Sequence, residues 1–199
     1  MKKLLSAGLF VAALPLAALA LQDEPASKPV TYTIDPVHSS ITFHVKHMGA
    51  AFAAGRFDSL TGELVFDEGD AGGCSVDAHV DPASVSTANA DRDKHLRSGD
   101  FFAVEEHPDM RFVSTSVESK GDGTYAMKGT LSYRGVEKEI ACTFEKVGEA
   151  TSRDRRRVLG FTTEFVVKRS DFGDVYGVAQ RILGDDVHVR VDIEAGEKR

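Results

Sequence analysis

From Tyr32 onward the apolar residues of this chain recur at every second position, and no other feature restricts the fold so tightly. Ile41, Phe43 and Val45 alternate with Thr42, His44 and Lys46; Leu64 and Phe66 alternate with Glu63 and Asp67; Val76, Ala78 and Val80 alternate with Ser75, Asp77 and His79. Successive side chains of a strand point to opposite faces, so a period of two gives each segment one greasy face and one wet face. The pattern returns over 112–117, 125–133, 139–144, 158–167 and 187–193. Most of these segments are about 5–8 residues long and rich in Val, Thr, Phe and Tyr, which suit a half-buried pleated surface.

Turn signals separate them: the run 68–73, Gly121-Asp122-Gly123, Arg134-Gly135 and Gly184-Asp185-Asp186. The Arg134-Gly135 link is short enough to predict a hairpin. A helical period occurs over 88–97, with Asp91 and Asp93 early, Lys94, His95 and Arg97 late, and Gly99 beyond. That order complements a helix dipole and ends at a glycine stop. About eight strands and one short helix in one domain fit a sandwich or a closed barrel. The mostly local connections favour an antiparallel up-and-down barrel.

The first twenty residues set a different expectation. Lys2 and Lys3 precede an apolar run from Leu4 to Leu19, and Ala18-Leu19-Ala20 supplies the small residues of a signal-peptidase site. The run is short for a membrane anchor and is interrupted by Pro15. Residues 1–20 therefore read as a signal peptide, with a periplasmic or secreted mature protein. Residues 21–31 read as a flexible leader, 32–195 as the folded domain and 196–199 as a tail.

The full chain carries 24 Lys+Arg against 31 Asp+Glu, a formal charge of -7, and without Lys2 and Lys3 the balance is 22 against 31, or -9. That sign argues against nucleic acid, whose binding needs clustered cations, and against tight docking on anionic headgroups. The basic cluster 153–157 lies between two strand-like segments and reads as a solvated hairpin loop. Cys74 and Cys142 are in phase with apolar neighbours, which favours two buried free thiols over a bridge.

The motif Tyr32-Thr33-Ile34-Asp35-Pro36-Val37-His38-Ser39-Ser40-Ile41-Thr42-Phe43 resembles the opening of the YceI-like, polyisoprenoid-binding periplasmic proteins. The resemblance continues through Gly55-x-Phe57, Gly62, Ser84-Val85-x-Thr87, Arg92-Asp93-x-x-Leu96-x-Ser98-x-Asp100-Phe101-Phe102, Pro108 to Ser114, Gly129-x-Leu131, Gly135-Val136-x-Lys138 and Arg169-x-Asp171-Phe172-Gly173. It thus spans about Tyr32 to Ala195. Tyr32 stands where Trp is common, Glu137 replaces a usual Thr, and the Arg-rich loop is particular to this chain. The resemblance implies an eight-stranded, lipocalin-like barrel holding a polyprenyl lipid or quinone tail for transport or storage.

A cavity of that kind would be lined by Phe43, Val45, Phe57, Leu64, Phe66, Val76, Ala78, Leu131, Phe144, Phe161 and Phe165, with Phe101 and Phe102 at one mouth. Gly55 and Gly129, with Ala78, would leave volume beside them. Every barrel or sandwich buries one face of each strand, so composition alone reads the same residues as packed core. Asp35, His38, Arg92, Asp93, Arg169 and Asp171 fall in the resembling motifs, either tying the helix and the 171–173 turn to the barrel or greeting a headgroup at the mouth.

Metal-ligand spacing is lacking: no His-x-His or Cys-x-x-Cys occurs, and 67–73 lacks the register of a calcium loop. Ser39 sits beside His38 without a nucleophile elbow. No cofactor beyond a bound lipid or quinone is expected. The partner is an isoprenoid lipid, without stable membrane insertion, and exposed edges or mouths could pair a homodimer. Two alternatives stay open: an enzyme acting on the lipid through His38, His47 or Asp93, and a stress-related barrel with a filled core.

Overall fold

The protein is described here by a computed structural model covering residues 28–199, so the expected signal peptide and most of the leader lie outside the described residues. The strands are β1 (Val30–Ile34), β2 (Ser40–His47), β3 (Ala51–Phe57), β4 (Leu60–Phe66), β5 (Ser75–Val80), β6 (Val85–Ser86), β7 (Met110–Gly121), β8 (Thr124–Tyr133), β9 (Val136–Thr151), β10 (Arg157–Lys168) and β11 (Leu183–Glu197). One helix, α1 (Ala90–Arg97), follows β6. The sheet order is β1-β4-β5-β7-β8-β9-β10-β11-β2-β3-β6, closed by pairing of β1 with β11.

This order describes eight long staves, three of them kinked once. Along one edge of β11, Ile34 of β1 faces Ala195 and Ser40 of β2 faces Asp192, so β1 and β2 are one bent stave. The segments β3 and β4 form the next, with Phe57 opposite Ile41 and Leu64 opposite Tyr32. The segments β5 and β6 form a third, with Val80 opposite Leu60 and Val85 opposite Phe57. All neighbours run antiparallel in chain order, which is the up-and-down barrel.

Two kinks share one chemistry. Asp35-Pro36 and Asp81-Pro82 each place a proline, which donates no ladder hydrogen bond, after an aspartate that caps the turn. Asp35 Oδ1 accepts from Val37 N at 2.8 Å, and Asp81 Oδ1 accepts from Ala83 N at 2.8 Å. The bends let a stave serve the closed ladder at one end and splay at the other. The Arg134-Gly135 turn has φ of 51° and 69°, the left-handed pair that matches the twist of a tight hairpin.

Several boundaries differ from the sequence reading. The first strand begins at Val30, opposite Phe66, so the leader stops short of Thr31. At the other terminus β11 runs to Glu197, and Lys198 N donates to Thr31 O at 2.8 Å, so the tail is shorter than 196–199. The helix begins at Ala90, because Ala88 is left-handed (φ 59°) and Asn89 is the cap, accepting from Arg92 N at 3.0 Å. The strands β7 and β9 outrun their alternating segments, since their far ends are exposed on both faces and lose the period of two.

The barrel interior is closely packed at the end where β1 begins, with a void of only about 50 Å³ beside Leu64, Phe66, Phe144 and Phe161. Tyr32, Leu64, Phe66, Val117, Tyr125, Met127, Phe144, Leu159 and Phe161 form one buried cluster. Phe66 meets Tyr125 and Phe161 edge-on at 5.5 and 5.1 Å, and Phe144 stacks on Tyr125 at 5.0 Å. Outside this plug, Lys146 pairs with Glu68 and Glu149, and Arg157 Nη2 lies 2.6 Å from Glu149. Those two cations lower the Glu149 carboxyl to about 2. Leu159 is fully buried in the plug, so Leu159→Ala should cost about 2–5 kcal/mol in urea unfolding. A change below about 1 kcal/mol would contradict a close-packed plug.

Candidate functional site

Above the plug the same inward faces stop meeting. They enclose a cavity of about 680 Å³, within the range of small-molecule sites. The alternation resolves here into inside and outside. Val187, Val189, Val191 and Ile193 of β11 line the cavity, while His188, Arg190 and Asp192 between them do not. The strands β2, β5 and β10 contribute Ile41, Phe43 and Val45, then Val76, Ala78 and Val80, then Phe165 and Val167. Leu131, Ile140 and Cys142 complete the far wall.

Phe43, Val45, Phe57, Val76, Ala78, Leu131 and Phe165 line this cavity, and Phe101 and Phe102 stand at its mouth. Leu64, Phe66, Phe144 and Phe161 do not. They belong to the plug, because four large side chains from facing staves meet at one level and fill the bore. Gly55 and Gly129 free no volume either. A Cβ at Gly55 would sit 2.3 Å from the Phe43 ring, and one at Gly129 would sit 2.3 Å from the Phe112 ring. Each glycine is the flat bed on which a phenylalanine lies.

The mouth is asymmetric. The outer edge of β3 is paired only at Arg56 and Phe57, by β6, leaving residues 51–55 without a sheet neighbour on that side. The helix α1, which follows β6, is held by three side chains. Arg92 Nε and Nη2 donate to Thr87 Oγ1 and O at 2.7 Å, Asp93 Oδ1 accepts from Thr87 N at 2.8 Å, and Arg97 Nε donates to Ala83 O at 2.7 Å. Arg92 also reaches the cavity lining.

The strongest polar feature was not legible from spacing. Arg169 and Asp174, 4 % and 3 % exposed, pair at 2.7 Å beside the cavity, and Tyr133 Oη donates to Asp174 Oδ2 at 2.9 Å. Arg169 Nε also donates to Gly184 O at 2.9 Å, and its guanidinium lies over the Phe101 ring. Burial pushes the Asp174 carboxyl up, and Arg169 and Tyr133 oppose it. The same burial, with the Asp174 charge, raises the Tyr133 phenol, which stays a neutral donor. Asp174 was missed because loop residues carry no period, and Tyr133 because its place at the end of β8 does not show which acid its hydroxyl meets; the acid directly after Gly173 was the available sign. Asp171 is exposed and stands apart from this network.

Asp35 and His38 lie at the β1–β2 kink rather than at the mouth. His38 Nδ1 is 2.9 Å from Asp35 Oδ2 and 3.7 Å from Glu194 Oε1, the one trio of potential metal-ligand groups among the described residues. The hydrogen bond to Asp35 raises the imidazole pKa and lowers that of the carboxyl, so each partner favours the charged form of the other. Ser39 Oγ stitches this kink to Glu194 O at 3.1 Å. Cys74 and Cys142 are unbridged, one in the plug and one on the cavity wall, and burial raises both thiols.

Two measurements test these assignments. Arg169→Met leaves Asp174 buried without its cation and should cost about 3–5 kcal/mol in chemical unfolding, against under about 1 kcal/mol for exposed Asp171→Asn. Equal small losses would contradict the network. The His38 pair stabilises the fold below the ordinary imidazole pKa and loses that contribution as pH rises through the raised one; on the acid side it is lost as pH falls through the lowered Asp35 value. The melting-temperature advantage over His38→Gln, present near pH ~6, should therefore shrink towards pH ~9. An advantage that grows with pH would refute the pair.

Comparison with known proteins agrees with this architecture. Residues 32–195 match the family model of the YceI-like domain. A UPF0312 protein of Shewanella denitrificans is 38 % identical over 177 residues, covering 87 % of this chain and 88 % of that one. The Campylobacter jejuni YCEI protein superposes with a TM-score of 0.70 at 33 % identity, over 77 % of this chain and 90 % of that one. A polyisoprenoid-binding domain from Saccharophagus degradans, implicated in plant cell wall breakdown, has a TM-score of 0.65 at 16 % identity over 85 % of this chain and 99 % of that one. The chain belongs to the YceI-like domain family.

Proposed function

We propose that this barrel is an exported binding protein that holds the chain of an isoprenoid lipid or quinone in its apolar cavity, for transport or storage outside the cytoplasm. The observation that carries the proposal is a cavity walled by Val, Ile, Leu and Phe, floored by an aromatic plug and open at one end. A void of that size walled by hydrocarbon loses dispersion contacts that a guest would restore. The polyisoprenoid-binding function of the Saccharophagus domain, which shares this fold, points the same way.

The volume sets a scale. If a methylene takes about the ~30 Å³ of a water, 680 Å³ holds on the order of twenty carbons, or about four isoprene units. Each buried unit gains up to about 4 kcal/mol gross at ~0.8 kcal/mol per carbon, and association takes back several kcal/mol in total. Affinity then needs no polar anchor, and selectivity comes from bore and depth. Export rests on the basic, apolar and small-residue order of residues 1–20.

A binding role without a catalytic step is supported by where the candidate acid and base groups lie. His38 is engaged with Asp35 at the β1–β2 kink and Asp93 with Thr87 at the helix, neither in the cavity lining; of the three only His47, at the β2–β3 hairpin, lines the cavity. Organic extraction of purified protein followed by mass spectrometry should recover a prenyl lipid at near-stoichiometric yield. Ala53 faces the cavity opposite Val45, so Ala53→Trp should cut that yield by about tenfold with the melting temperature held. An empty extract from the unaltered protein, or full yield from Ala53→Trp, would overturn the reading.

A further inference from the structure

The mouth carries a surface that the cavity does not explain. Met48, Phe52, Val175, Tyr176 and Ile182 are large, apolar and between 44 % and 68 % exposed. They come from two segments joined at the rim: the β2–β3 hairpin and the loop before β11, where Met48 N donates to Ile182 O at 2.8 Å. Phe52, Tyr176 and Ile182 are also part of the cavity lining, so the inner wall runs unbroken onto the outer surface.

Charge is distributed in the same sense. The chain has 31 Asp+Glu in 199 residues, which would place about five in the stretches 36–57 and 175–184, yet both contain none. They carry Lys46, Arg56, Arg181, His38, His44 and His47 instead. Flanking acids are matched locally: Asp58 by Arg56 at 2.7 Å, Asp186 by Lys168 at 2.7 Å, and Asp185 by Ser170. Other acids of this end stand outside the two stretches, at Asp91, Asp93 and Asp100 on α1 and just after it, where His95 and Phe101 meet the Tyr176 ring at 5.1 and 4.9 Å, and at exposed Asp171.

We infer that this rim is a docking surface for a phospholipid bilayer, seated on the hairpin side so that the unpaired edge of β3 faces the membrane. Exposed apolar side chains with interspersed cations and no carboxylates are what an interface of hydrocarbon below phosphate selects. A second copy of the chain fits less well, since a twofold contact would set Lys46 and Arg181 against themselves. The leader fits less well too. It joins the barrel at Val30, at the plug end, and nine extended residues from Leu21 reach at most about 32 Å, against a stave of about 46 Å from there to the hairpin. The docking rests on the cargo reading only for its purpose, because it lets a prenyl chain pass without crossing water.

Flotation of the full chain with vesicles of phosphatidylethanolamine and phosphatidylglycerol, roughly 3:1, tests this. The unaltered protein should float, and Met48→Asp with Val175→Asp should weaken flotation by about tenfold or more. Neither residue lines the cavity, and both are exposed, so the fold is retained and a melting curve verifies it. Val147→Asp, on the far part of β9 and 70 % exposed, should float as before. An unaltered protein that stays with the free fraction, a double variant that floats equally, or equal loss in Val147→Asp would overturn the inference. So would a dimer in sedimentation that Met48→Asp dissolves. Capture of a fluorescent prenyl alcohol, measured without vesicles, reports separately: flotation kept and capture lost would support docking while contradicting the cargo.

Discussion

The structure depends on how bulk is distributed along a bore that is barely wide enough for side chains. An eight-stranded barrel can be filled by its own residues or can hold one small ligand, and the choice rests with the inward positions. Here Phe66, Tyr125, Phe144 and Phe161 arrive at one level from four different staves and close it by edge and stacked contacts. Beyond them Val, Ala and Ile are interspersed among the phenylalanines of the inward faces, and the walls enclose a cavity. The plug supplies the burial that stabilises the fold, so the rest of the interior need not be filled.

The open end is held by different means. Fewer core contacts stand there, and order comes from arginines that satisfy backbone carbonyls: exposed Arg92 at Thr87, half-buried Arg97 at Ala83 and Val85, and buried Arg169 at Gly184. Among the described residues no buried side-chain nitrogen or oxygen lacks a partner. Removing one member of such a network leaves a desolvated group, so these residues matter to stability even though they sit at a mouth. The helix and the β3 edge are thus built on unlike principles, one polar and fastened, the other apolar and unpaired over residues 51–55.

Much of this was legible in the chain itself. Alternation located the strands, Arg134-Gly135 marked its hairpin, and the colinear motifs implied the barrel. The division of the barrel was not legible. Phe43 and Phe66 have the same spacing and the same neighbours in kind, yet one lines a cavity and the other fills the bore, because depth along a stave depends on which partners stand opposite. Gly55 and Gly129 misled for a related reason: a glycine leaves room only if no ring across the strand takes it. Asp174 escaped because a loop acid acquires meaning only when folding brings Arg169 and Tyr133 to it.

The central claim is that this interior is divided between a solid floor and a void shaped for a flexible hydrocarbon. Diffraction from crystals of protein purified without delipidation addresses it most directly. Continuous tubular density along Val189, Phe43 and Ala78, stopping above the Phe66 and Phe161 rings, is the expected result. A bore in which those wall residues have collapsed onto one another, leaving no channel, would contradict the account.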